Sequence, residues 1–297
     1  MLPLFSTIHP KNILATGALF LILLSSCKKD GNPNKLPSVS PEQYAGTIDG
    51  YKSSDEIYPK NLVAHWTFDD TWNETLSGNA PTDMTGNSFV DGGVLGKAAS
   101  INAGYLYYAT QFSAFRTDSL KSFTISLWIK IRNNGSKKTM VFQLARPGIL
   151  MGNINFALNT NAYPADNTKL QIQPYFTTAG NGKQDNLNAS IYPTIGADKW
   201  THLVITYNGS SGYFYEWGDG VNVGSYNSRG TGNNLFKSWE PSEVIIGSDY
   251  NGIPGKSVNS DVSFAPMTAQ VDDIRVFNTV LPDAHIKALY NLGKANK

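Results

Sequence analysis

Gln270-Val271-Asp272-Asp273-Ile274-Arg275-Val276-Phe277, close to the C-terminus of a 297-residue chain, sets two adjacent acids inside an apolar strand pattern. Side chains along a strand alternate between faces. On strict alternation Asp272, Ile274 and Val276 share one face, and Val271, Asp273, Arg275 and Phe277 share the other. A carboxylate beside Ile274 and Val276 would enter a hydrophobic core, where it needs hydrogen-bond donors, a cation or a neutralising proton. A second acidic pair, Asp69-Asp70, closes the early apolar run Leu62-Val63-Ala64-His65-Trp66-Thr67-Phe68. The expectation is that the first and last strands meet, with these acids at the junction.

Outward from this stretch the chain reads as many short strands. Phe123 to Ile131 alternates strictly, with Phe, Ile, Leu, Ile and Ile on the buried side. Met140 to Ala145, Asn155 to Leu158 and Leu170 to Phe176 are shorter candidates. Trp200 to Tyr207 is apolar on both faces, as a twice-covered strand would be, and Asn208-Gly209 supplies a hairpin turn before Gly212 to Trp217. Glu243 to Gly247 precedes the acidic strand. Only Pro282 to Leu292 carries a helical stripe, with Ile286, Leu289 and Tyr290 on one side, Pro282 in its first turn and Gly293 at its end. Segments 146–154, 159–168, 177–199 and 218–240 are longer than tight hairpins require, and are expected to be disordered excursions or binding elements. The pattern predicts an all-β fold, a two-sheet antiparallel sandwich with one short C-terminal helix.

The N-terminal residues stand apart. Ile13 to Leu24 is an apolar run preceded by Lys11 and followed by Ser25-Ser26-Cys27. Such a run is too short for the roughly 30 Å bilayer core and has the layout of a secretory signal. Leu24-Ser25-Ser26-Cys27 resembles the lipobox of bacterial lipoproteins, which implies cleavage before Cys27 and acylation of its sulfur. It is the chain's one cysteine, so no intramolecular disulfide can form. Lys28-Lys29-Asp30 resembles the charged export signals of Bacteroidetes surface lipoproteins. The expected organisation is a signal peptide over 1–26, a lipidated Cys27 with a Pro- and Asn-rich tether to 58, and one domain over 59–297. The place implied is the outer membrane, lipid-anchored and facing outward. With 24 basic and 23 acidic residues and no basic stripe, nucleic acid is excluded as a partner.

The ordered set of segments resembles the laminin-G-like, concanavalin A-like jelly rolls of secreted and surface bacterial proteins. The matching pieces are Leu62 to Asp69, Ser122 to Lys130, Lys199 to Gly209, Ile246-Gly247, Val271 to Asn278 and Ile286 to Tyr290. The resemblance implies two stacked antiparallel sheets and, in many relatives, a structural Ca²⁺. It says little of function, because this fold hosts lectins, glycosidases, lyases and adhesion modules.

Three site chemistries are weighed. Asp69, Asp70, Asp272 and Asp273 are candidate oxygen ligands for Ca²⁺; the alternative pairs Asp273 with Arg275 and lets Asp272 accept backbone N–H groups. Trp72, Tyr175, Tyr192, Trp217, Trp239 and Tyr250 fall in loops or at strand ends, where rings can stack on sugars. Trp66, Trp128 and Trp200 lie inside strands and are assigned to packing. Hydrolysis finds no support: no run of alternating Glu, Asp and Glu occurs, and no Gly-x-Ser-x-Gly elbow is present. His65 and His202 are expected to be hydrogen-bonded strand histidines. The leading expectation is a non-enzymatic module that captures polysaccharide at the cell surface. The alternatives are a structural or adhesion domain contacting surface-complex proteins, then a divergent hydrolase or lyase.

Overall fold

The computed structural model describes residues 46–177, 193–226 and 239–297, with the backbone of Lys183–Asp185. The expected signal peptide, Cys27, most of the tether and Tyr192 lie outside the described residues. Gly46–Lys297 forms one compact unit.

The strands are β1 (Leu62–Trp66), β2 (Asp83–Asp91), β3 (Lys97–Tyr108), β4 (Phe123–Lys130), β5 (Lys138–Arg146), β6 (Ile149–Leu158) and β7 (Tyr175–Thr177). They continue with β8 (Lys183–Asp185), β9 (Thr201–Tyr207), β10 (Phe214–Gly218), β11 (Val221–Tyr226), β12 (Glu243–Ile246), β13 (Phe264–Ala265) and β14 (Met267–Phe277), and helix α1 (Asp283–Lys294) closes the chain. Hydrogen bonding runs β11-β10-β9-β4-β14-β3-β12-β5-β6-β7-β8, with β1 on β14, β2 on β3 and β13 on β5. Every pairing is antiparallel except β13 with β5. The sheet curls around a core that includes Trp66, Ile125, Leu127, Phe142, Phe156, Leu203 and Ile274. This is the antiparallel sandwich with a C-terminal helix that the pattern predicts.

β1 does pair with β14, Trp66 opposite Ile274 and Ala64 opposite Val276. α1 packs on the outer face of the sheet, where Ile286, Leu289 and Leu292 meet Val204, Trp217 and Phe277. Its limits differ slightly from the expectation. Pro282 is its N-cap residue, and the helix runs through Gly293 to Lys294. A Cβ on Gly293 would stand 2.4 Å from the Trp128 ring, so this glycine is needed for close approach, not for termination.

Other elements also depart from the local reading. The excursion expected at 146–154 is a tight hairpin: Arg146 faces Ile149 across Pro147-Gly148, and β6 begins at once. β10 and β11 turn just as tightly through Asp219 and Gly220, both at positive φ. Asn208-Gly209 is not a two-residue turn. The loop runs from Asn208 to Tyr213, Gly212 holds the positive φ, and the Asn208 side chain accepts from Ser210 and Ser211. β2 and β3 are missing from the sequence reading because β2 is largely exposed and the first half of β3 is built of small and polar residues. The compact unit also begins before residue 59. Ile57 is buried under α1, and the Ser54 N–H donates to the Lys297 carbonyl. The sequence leaves open whether Tyr44 to Tyr51 lies against the domain, since the burial of this segment depends on the far end of the chain.

Candidate functional site

The decisive local feature is a bulge in β14. Asp272 lies opposite Trp128 of β4 and Arg275 lies opposite Ser126, three steps on one strand against two on the other. Asp273 takes the left-handed conformation at φ 50°. The extra residue reverses the face parity, so Val271 and Ile274 both enter the core while Asp272, Asp273 and Arg275 share the outer side. The expected split of the two acids between opposite faces is therefore corrected. Strict alternation fails because a bulge is not visible in hydrophobic periodicity.

Both acids are nonetheless buried. The Val94 and Leu95 N–H groups donate to Asp272 Oδ2 at 2.6 and 3.0 Å, and the Asp273 N–H donates to its Oδ1 at 2.8 Å. Burial, reinforced by the Asp273 charge, pushes the Asp272 carboxyl up to about 8 against the pull of those donors. Asp273 Oδ1 meets His65 Nε2 at 2.7 Å and Arg275 Nε at 2.8 Å. Burial works to raise that carboxyl, but the Arg275 guanidinium and His65 outweigh it and hold it at about 2. Arg275 also donates to Ser54 and Asp55, both at 2.9 Å.

The other acids are spent in the same way. Asp69 accepts from the Lys97 N–H and Asp70 pairs with the Lys97 ammonium. Loop 92–96 threads between Asp69 and Asp272. A Cβ at Gly93 would reach within 2.7 Å of Asp272 Oδ2, and one at Gly96 within 2.1 Å of Asp69 Oδ1. This donor set does not fit Ca²⁺, which requires six to eight oxygens, because N–H groups and a guanidinium occupy the carboxylates. Among the described residues no group of three or more His, Cys, Asp or Glu side chains could hold a metal ion.

A serine and a histidine do come together. Ser126 Oγ lies 2.8 Å from His202 Nε2, but both are buried, with the His202 ring against those of Trp128 and of Tyr290 of α1. Among the described residues His202 Nδ1 has no partner, and Asp219 accepts from the His202 backbone N–H instead of its ring. Burial drops the imidazole to about 4. A nucleophile needs an oriented base and access to substrate. This pair has neither.

The proposed sugar-stacking rings scatter. Tyr175, Trp217 and Tyr250 are buried, in three separate clusters, and present no stacking face. Their strand-end positions imply exposure only while the covering elements are unknown. Trp72 is half-buried and stacks on Phe89 at 3.9 Å, and Trp239 is half-buried.

A hollow of about 240 Å³ lies beside the acidic cluster, lined among others by Asp55, His65, Asp69, Asp273 and Arg275, and a larger concavity lies elsewhere. Two adjoining hollows of about 390 and 400 Å³ share Ile131, Arg132 and Thr268 and so form one groove. Its floor is a row across three strands, Ser100 of β3, Gln270 of β14 and Lys130 of β4, set by their register. Asn102, Thr268 and Arg132 continue it toward the β4–β5 loop, which adds Asn133 and Lys137. Asn133 is rigid, donating through Nδ2 to the Asn167 and Lys169 carbonyls. Trp200 closes on Lys130, whose ammonium sits 4.7 Å from the ring centre, and anchors its own Nε1 on the Gly92 carbonyl. The sequence reading missed these residues. Continuing the outward series Ser126, Trp128 gives Lys130 and Arg132, the one local signal available.

The family follows from this frame. Residues 103–287, well over half of the chain, match a laminin-G-type family described as the concanavalin A-like lectin/glucanases superfamily. The chain belongs to that superfamily. No curated protein is significantly similar to this concanavalin A-like chain. Among solved structures, domain 4 of AbnA, a GH43 extracellular arabinanase from Geobacillus stearothermophilus in complex with arabinotriose, aligns with a TM-score of 0.53 at 17% identity, covering 77% of this chain and 98% of that one. The binding domain of Paraclostridial Mosquitocidal Protein 1 aligns at 0.52 and 16% identity, covering 78% of this chain and 52% of that one. The binding domain of Botulinum neurotoxin DC, in complex with rat synaptotagmin II, aligns at 0.53 and 14%, covering 78% and 52%. The two toxin domains are thus matched over about half of their length. At such identities the likeness concerns the concanavalin A-like fold.

Proposed function

We propose that this chain is a non-catalytic glycan-binding domain, held at the outer membrane by lipid on Cys27 and displayed at the cell surface. The observation that carries the reading is the preformed groove over β3, β14 and β4. Its amide, hydroxyl and cationic side chains stand on these strands and on the adjoining β4–β5 loop and suit the rim hydroxyls of a saccharide. The arabinotriose complex of the arabinanase domain is in keeping with such a ligand on this fold. The non-catalytic part rests on the chemistry of the buried acids. Asp273 is neutralised by Arg275, Asp272 is saturated by N–H donors, and the Ser126–His202 pair lies beneath α1. The lipid anchor rests on the Leu24-Ser25-Ser26-Cys27 sequence.

The test is a glycan array on the detergent-solubilised full chain, read beside reducing-sugar release from the retained polysaccharides. Retention without release is the expected result. Release of sugar overturns the non-catalytic reading, and failure to retain any glycan overturns the carbohydrate reading in favour of protein contact. Mass spectrometry of the native N-terminus is expected to find Cys27 acylated; a free thiol there overturns the anchor.

A further inference from the structure

We propose that the groove over β3, β14 and β4 selects glycans that carry negative charge, uronic-acid polysaccharides in the first place. The inference rests on the glycan reading and narrows its ligand class. The chain as a whole is balanced, at 24 basic and 23 acidic residues. The groove is not: among the described residues its lining contains Lys130, Arg132 and Lys137 and no carboxylate. The contrast with the far half of β14 is sharp, since there the cation Arg275 is neutralised by two aspartates.

The three cations also keep their charge available. Lys130 packs over the Trp200 ring and Lys137 donates to the Val262 carbonyl, both neutral partners. Arg132 is exposed and joins no ion pair among the described residues. Between the cations stand Ser100, Asn102, Thr268 and Gln270, which exchange hydrogen bonds with hydroxyls. A ligand that meets both needs offers hydroxyls and a regularly placed anion along one chain. A neutral glycan would leave the cations without a counter-charge, whereas a carboxylate on a sugar ring is taken by the planar fork of arginine in a bidentate bond.

The test is titration calorimetry on the detergent-solubilised full chain, with polygalacturonate, its methyl ester, chondroitin sulfate, linear arabinan and double-stranded DNA as ligands. Polygalacturonate is expected to bind about tenfold tighter than its methyl ester. That advantage should fade at about 0.5 M NaCl, where charges on the groove are screened. Lys130→Gln combined with Arg132→Gln should weaken polygalacturonate about tenfold and the methyl ester by clearly less, so that the preference for the acid is lost, while Lys287→Gln on the exposed face of α1 changes neither. Melting curves run alongside check folding, and Lys137→Gln provides an independent variant. Chondroitin sulfate carries glucuronate carboxylates as well as sulfates, so its binding as tightly as polygalacturonate supports selection of anionic glycans in general. Equal affinity for arabinan, methyl ester and polygalacturonate overturns the charge selection and leaves the glycan reading intact. Binding of DNA as tight as that of polygalacturonate overturns the inference, and binding of no carbohydrate at all overturns both.

Discussion

β14 presents two outward stretches that differ in kind. Before the bulge, Thr268 and Gln270 face the groove, with Arg132 and Lys130 beside them and little above. After it, Asp272, Asp273 and Arg275 lie under loop 92–96 and residues 53–57, and donors, acids and bases are consumed within the fold. Both halves carry polar and cationic side chains, although among the described residues only the second carries carboxylates. What separates them is cover. A polar group under another element must be paired internally, because leaving it unpaired costs more than a hydrogen bond gains. A polar group left in water keeps its capacity for a ligand. The acidic pair that dominates the sequence pattern is therefore structural, and the plainer half of the strand carries the candidate site.

The largest effect that can break this comparison is loss of Asp273. Asp273→Ala takes from buried Arg275 one of its three side-chain partners and from the buried His65 ring its hydrogen bond, and unfolding titrations should show a loss of about 3–5 kcal/mol. A loss under about 1 kcal/mol, the range of an exposed ion pair, would mean that this half is open too. Asp272→Ala strands the Val94, Leu95 and Asp273 N–H groups and should cost about 2–4 kcal/mol by the same measurement. The bulge makes both changes severe, where strict alternation would have spared Asp273.

The Ser126–His202 pair sharpens the comparison through pH. The unfolded histidine takes up a proton near pH 6.5, whereas the buried one resists until about 4. The unfolded state therefore binds more protons in that window, and stability falls as pH falls, by on the order of 3 kcal/mol. Melting temperatures between pH 7 and pH 4 check the sign. Because Asp272 and Glu216 pull the opposite way over this range, the slope is read as the difference between the parent and His202→Gln; no difference would place His202 in contact with water.

Glu216 acts in the opposite direction. It is buried with neither carboxylate oxygen hydrogen-bonded among the described residues, and burial raises its pKa well above the ordinary range. The folded state keeps a proton that the unfolded state releases above about pH 4.3, so stability falls as pH rises. Glu216→Gln should therefore melt higher than the parent at pH 7, with the gap closing toward pH 4, and it is the background in which to read His202. An unchanged or lower melting temperature at pH 7 would show that the carboxylate has a partner. The smallest effect belongs to the groove. Lys130→Gln and Arg132→Gln should each move stability by no more than about 0.5 kcal/mol; a larger loss would mark them as part of the fold's own network.

Much of the fold was legible in the residues. Phe123 to Ile131 and Trp200 to Tyr207 alternate or run apolar for a whole strand, so local pattern alone assigns them. Ile286, Leu289 and Tyr290 do the same for the helix, and the meeting of Leu62–Trp66 with the acidic strand follows from their apolar faces. The site was not legible. Periodicity shows which residues alternate, but a single inserted residue at Asp272-Asp273 reverses every face that follows. The sequence likewise marks Tyr175, Trp217 and Tyr250 as aromatic and near strand ends, while their burial depends on elements far along the chain. Ser100, Gln270 and Lys130 become neighbours only through the register of β3 and β4 on β14. Local order is written in local residues; cover and convergence are long-range properties, decided by which distant segment comes to lie on top.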